Sequence, residues 1–95
     1  MPAIRLTVEA VEDIERLIVT HSLPPDTPQR VMRSLRALER FPRSGRELDD
    51  PWGPVRVMIG PWPWLLMLYS YEEKDDIVIV LGFQDARSYE AVTSH

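Results

Sequence analysis

The sequence has no cysteine, so disulfide bonds and thiolate-held metals are excluded, and a reducing compartment suits the chain. Histidine occurs only at positions 21 and 95. Neither has a second ligand at helical spacing, so both read as surface groups and no metal site is expected. The four glycines, at 45, 53, 60 and 82, are scattered and build no phosphate-cradling loop; no cofactor is expected. The longest apolar run, Trp62 to Tyr69, falls far short of the ~20 residues that a membrane helix needs. The opening MPAIRLTVEAVEDIER reaches charge at once, without the apolar stretch of a secretory leader. The expected location is cytoplasmic, with no membrane partner.

What is present suits one small domain, residues 1–95. Of the 95 residues 44% are apolar and 27% charged, a balance that argues against disorder. The net charge of −4 is unevenly spread: residues 1–27 carry −3, residues 28–46 carry +5 and residues 47–95 carry −6. A protein built mainly to grip nucleic acid carries a basic surplus; here one basic segment sits inside an acidic whole.

Periodicity sets the element order. Ile4, Leu6 and Val8 alternate with Arg5 and Thr7, the pattern of a short strand. Thr7 can cap a first helix, with Glu9 and Glu12 near its positive end and Val11, Ile14, Leu17 and Ile18 on its apolar face. HSLPPDTP stops that helix. Asp26 followed by Gln29 is a capping-box pattern that starts a second helix, with Val31, Leu35, Leu38 and Phe41 as its stripe and an end before Pro42. Val55, Val57 and Ile59 alternate with Arg56 and Met58 as a strand, Gly60-Pro61 turns the chain, and Trp62 to Tyr71 and Ile77 to Phe83 are two further strands joined by a polar turn. The tail from Asp85 to His95 has room for a helical turn at Ala86 to Val92. The fold class is therefore α+β: an N-terminal strand, a helical hairpin, and an antiparallel sheet whose last three strands form a meander. The third and fourth strands are apolar on both faces, so the far face of the sheet is either covered by the tail or open to a partner.

Three groups of side chains invite a functional reading. Arg33, Arg36 and Arg40 fall on one side of the second helix; they are either a solvated face with favourable charge at a helix end or a docking patch for an acidic partner. Trp62 and Trp64, with Tyr69 and Tyr71, are either core or a contact surface. Arg56 points away from the Val55/Val57/Ile59 face, and Arg87 and Tyr89 follow the last strand. If these three meet on the open face of the sheet, they could hold a phosphate and assist its transfer.

The order of parts resembles the RelE/ParE superfamily of bacterial toxins. The residues that carry the resemblance are TVEAVEDIERL, LRALERFPRSGRELDD, VRVMIGPWPWLLMLY and DIVIVLGFQDARS, spread over roughly residues 4 to 89. The most specific is FPRSGRELDD…VRVMIGP: the superfamily joins its helices to its sheet by an apolar-Pro-x-x-Gly stretch and follows it with a strand holding Leu/Val-Arg and ending in Gly-Pro-aromatic. The resemblance implies a toxin component of a type II toxin–antitoxin system, neutralised by a cognate antitoxin that wraps the helices and the sheet. A homodimer, or a heterotetramer with the antitoxin, is within the same expectation. RelE-like members cleave mRNA on the ribosome with basic and Tyr side chains of the sheet and C-terminal region; ParE-like members lack that set and poison DNA gyrase. Here the only lysine, Lys74, falls in a turn, the strand after Gly60-Pro61 is apolar where many nucleases carry Arg, and FQDARSY replaces a basic cluster. The resemblance thus favours the ParE-like side, with Arg33, Arg36, Arg40, Trp62 and Trp64 as partner-binding residues. The alternatives are a nuclease using Arg56, Arg87 and Tyr89, or a non-toxic interaction module.

Overall fold

In the computed structural model, which describes residues 1–49, 51 and 53–87, Thr7 ends the first strand, β1 (Ala3–Leu6), and starts the first helix, α1 (Val8–His21). Its hydroxyl accepts the Ala10 N–H at 3.1 Å, which satisfies one of the donors left over at a helix start. Ser22 closes α1 in a left-handed conformation, and the prolines that follow prevent its continuation. The second helix, α2 (Thr27–Leu35), tightens into a 3-10 turn over Arg36–Glu39, so the predicted helix is α-helical for only part of its span. The Asp26 carboxylate makes no capping bond; it pairs instead with Arg30 one turn on, at 3.0 Å.

Four strands follow the helices: β2 (Arg46–Glu47), β3 (Arg56–Ile59), β4 (Leu65–Glu72) and β5 (Ile77–Asp85). They form one sheet with β1, in the order β1-β5-β4-β3-β2. The meander β3-β4-β5 is antiparallel as its short connections require. The sheet as a whole is mixed, because β1 lies parallel to β5. Both helices intervene between β1 and the rest of the sheet, so the chain crosses over before it returns. β4 begins at Leu65, three residues later than its apolar pattern suggests. Trp62, Pro63 and Trp64 form a turn that closes with the Leu65 N–H on the Trp62 carbonyl at 3.1 Å.

Register assigns the two faces. Leu65, Met67 and Tyr69 of β4 and Val78, Val80 and Phe83 of β5 bury against Ala10 and Ile14 of α1 and Val31, Leu35 and Leu38 beyond it. Each Leu, Val, Ile, Met or Phe among them taken from water contributes about 1.5–3 kcal/mol. A bulge lets β5 keep this face: Leu68 pairs with Gly82 and Tyr69 with Val80, which leaves Leu81 over. Thr7 secures it, its N–H bonding the Val80 carbonyl at 3.1 Å and its hydroxyl the Leu81 carbonyl at 3.3 Å. A Cβ at Gly82 beside the bulge would lie 2.8 Å from Asp13 Oδ2 and would displace the oxygen that accepts the Phe83 N–H at 3.1 Å. Among the described residues no helix is long and apolar enough to cross a membrane.

Candidate functional site

Six aliphatic side chains lie on the far face of the sheet: Val57 and Ile59 of β3, Leu68 and Leu66 paired with them on β4, and Ile79 and Ile77 of β5, which pair with Ser70 and Glu72 of β4. These six are half-buried or exposed, Ile59 at 60%. The chain thus presents an aliphatic surface with no helix over it among the described residues. At the β2 side it deepens into an open concavity of about 610 Å³. Leu48, Val57, Ile59, Leu66 and Ala86 line it together with Arg46, the β2 partner of Val57. An open aliphatic face of this kind suits contact with another protein.

Arg56 is not on that face. Its cross-strand partner is Tyr69, whose side chain is in the core, so Arg56 points to the helix side at the sheet margin. The period-2 alternation holds in β3 with the faces opposite to expectation: Val57 and Ile59 form the open face, while Arg56 and Met58 lie on the covered one. The Arg56 guanidinium donates to the carbonyls of Gly45 at 2.9 Å and Arg43 at 3.2 Å, and stands 3.8 Å from the Glu47 carboxylate. It therefore holds the loop between α2 and β3. Gly45 is pinned from the other side: its N–H donates to the buried Tyr69 hydroxyl at 2.8 Å.

Arg87 lies at the opposite end of the sheet. Asp85 pairs with Leu65 and Arg56 with Tyr69, a separation of about 13 Å along β4 and about 10 Å across it. The structure does not bring Arg56 and Arg87 together, and Tyr89 lies outside the described residues. Arg87 instead wraps Asp85, donating to Oδ1 through Nε at 3.3 Å and through its backbone N–H at 2.8 Å, and pairing with Oδ2 at 3.1 Å.

A polar and aromatic cluster that the sequence did not reveal joins the helices to the β3–β4 turn. His21 Nε2 lies 2.9 Å from Asp85 Oδ2. The His21 ring stacks on Trp64, with centroids 4.8 Å apart and planes 6° from parallel. Trp64 stacks on Trp62 at 5.8 Å, and the Arg30 guanidinium stands 5.9 Å over Trp62. Both indoles are half-buried and engaged on their faces, so they tie α1, α2 and the β3–β4 turn together. The Trp64 carbonyl also accepts the Ala86 N–H at 2.7 Å, which brings the end of β5 into the same knot. Hydrogen bonds from Arg87 and then His21 hold the Asp85 carboxyl well below the usual carboxylate range. His21 Nδ1 is buried and has no partner among the described residues, so the ring suits the tautomer that donates through Nε2. His21 is not the surface residue expected: it continues the inward stripe of Ala10, Ile14 and Leu17, a spacing that would have revealed it. Among the described residues no three metal-ligating side chains gather.

Arg33, Arg36 and Arg40 are exposed on the outward side of α2 and the 3-10 turn. A shallow groove of about 460 Å³ runs past Pro28, Gln29, Met32, Arg33 and Arg36.

Compared by sequence alone, the chain matches no protein-family model and no curated protein. Solved structures are another matter. The RelBE2 toxin–antitoxin complex of Mycobacterium tuberculosis holds a chain 23% identical, with a TM-score of 0.66 over 90% of this chain and 99% of that one. The chain has the RelE/ParE toxin fold. A metal-bound toxin of Helicobacter pylori has the same fold at 13% identity and a TM-score of 0.69, over 93% of this chain and 98% of that one. So does a chain of the chromosomal ParDE system of P. aeruginosa, at 11% identity and a TM-score of 0.67, over 90% and 96%. The RelE/ParE fold spans nearly all of the described residues and nearly the full length of each neighbour.

Proposed function

We propose that the chain is the toxin of a type II toxin–antitoxin pair, that it stops growth by contact with a protein, DNA gyrase, and that a cognate antitoxin holds it inactive. The observation that carries this reading is the chemistry of the open sheet face. Val57, Ile59, Leu66, Leu68 and Ile79 offer an aliphatic surface, whereas a face that positions RNA needs converging cations. Arg56, the strand arginine that a nuclease would use, is occupied with the Gly45 and Arg43 carbonyls and stands apart from Arg87. Two of the structural neighbours come from a toxin–antitoxin complex and a ParDE system, which supports an antitoxin as partner. The exposed Arg33, Arg36 and Arg40 are the residues we assign to its acidic segment.

The test is induced expression in a bacterium without the antitoxin, comparing the parent chain with Ile59→Arg/Leu66→Arg. Growth arrest by the parent and its loss in the variant, with an unchanged circular dichroism spectrum, is the expected result. Arrest that survives a charged open face would remove this surface from the mechanism. Harmless expression of the parent would leave only a non-toxic interaction module.

A further inference from the structure

We propose that the outward face of the two helices is a self-association surface, on which α1 of one copy lies against α2 of a second copy and the reverse contact forms by symmetry. Two observations carry it. The solvent side of α1 presents Val8 (70% exposed), Val11 and Val19 (81% exposed), interleaved with the exposed Glu12 and Glu15. The solvent side of α2 and its 3-10 extension presents Arg33, Arg36 and Arg40 around the exposed Met32. None of these five charges has an ion-pair partner among the described residues. One molecule therefore carries an acidic stripe with exposed valines and a basic stripe with an exposed methionine. Both point away from the sheet, since Ala10 and Ile14 on α1 and Val31 and Leu35 on α2 point into it.

The second copy is the occupant that this pattern selects. A two-fold axis parallel to the helices sets α1 over the partner's α2 and α2 over the partner's α1, so that both contacts join opposite charges. A two-fold axis across the helices would set glutamates on glutamates and arginines on arginines. The fourteen residues of α1 span about 21 Å, and two helices about 10 Å apart give a footprint of about 420 Å² on each copy. That is below a standard interface of ~800 Å² per partner, so the dimer is weak, reversible and sensitive to salt. It does not depend on the toxin reading. An antitoxin segment laid on Arg33 and Arg36 would compete with the second copy.

The experiment is sedimentation equilibrium of the full chain at concentrations up to about 1 mM, for the parent, for Glu12→Arg/Glu15→Arg, for Arg33→Glu/Arg36→Glu, and for the two variants mixed. The parent mass should move from 11.0 kDa toward twice that value. Its association constant should fall at least about tenfold between low salt and ~0.5 M salt, where screening confines charge interactions to a few Å. Each variant alone should stay monomeric at a concentration where the parent associates. The equimolar mixture should regain the parent's association, because both contacts of the mixed dimer again join opposite charges. A parent that stays monomeric throughout, variants that dimerise unchanged, a mixture that does not recover, or growth beyond the dimer would each overturn the proposal. Circular dichroism of each variant establishes that a loss of association is not a loss of fold.

Discussion

Gly45 donates its backbone N–H to the Tyr69 hydroxyl at 2.8 Å, inside the protein. This one bond joins the loop leaving the helices to the central strand of the sheet. A Cβ on residue 45 would lie 2.6 Å from that hydroxyl and 2.7 Å from the ring. Gly45→Ala should therefore force a shift of the loop or the ring, lowering stability by about 1–3 kcal/mol. Tyr69→Phe leaves the buried N–H unpaired, at a cost of about 1–3 kcal/mol. Urea denaturation of both variants checks this, and midpoints equal to the parent's would contradict it.

Gly82 and Asp13 form a comparable close approach at the bulge. Gly82→Ala should destabilise, since its Cβ would meet Asp13 Oδ2 at 2.8 Å. In Gly82→Ala/Asp13→Ala the clash is removed along with the bond to the Phe83 N–H, so the two losses should be less than additive. A double-mutant cycle in thermal melts reads this directly.

Asp85 predicts a pH dependence. Arg87 and His21 hold its folded carboxyl below the ordinary value. A depressed carboxylate contributes stability that is fully present above the unfolded-state value, ~3.9. That contribution is lost as the pH falls toward and through the folded value. Asp85→Asn should accordingly be less stable than the parent at pH 7, and the gap should narrow steadily between pH 4 and pH 2. Denaturation midpoints measured across that range check the sign; a gap that widens on acidification would contradict it.

Much of the fold was legible because its signals are local. Thr7 before an apolar helical stripe, the double proline after His21, and the alternation around Val57 mark element ends that the structure keeps. What local signals leave open is the relationship between elements. The Trp62–Trp64 segment is as apolar as the strand after it, and only the turn bond from Leu65 to Trp62 removes it from the sheet. Period-2 alternation separates Arg56 from Val57 without saying which of them faces the helices. That is decided by register with Tyr69, a property of three strands at once. His21 and Asp85 are 64 residues apart in sequence, so no spacing rule joins them, although the position of His21 on the inward stripe of α1 was available. Arg33, Arg36 and Arg40 were legible as an exposed set because helical geometry alone puts them on one side.

Arg56 separates a structural role from a catalytic one. Arg56→Ala removes the bonds to the Gly45 and Arg43 carbonyls and should lower stability by about 1–3 kcal/mol. Growth inhibition at a permissive temperature should persist. Full loss of inhibition in a folded Arg56→Ala chain, with the same result for Arg87→Ala, would instead favour RNA cleavage.

The most direct measurement is pulse-labelling of DNA and protein synthesis in the first minutes after induction in a bacterium that lacks the antitoxin. A toxin that acts by contact with gyrase stops DNA synthesis first, while protein synthesis continues. An early fall in protein synthesis, with DNA synthesis still running, would contradict the account and return Arg56, Arg87 and Tyr89 to the centre of the mechanism.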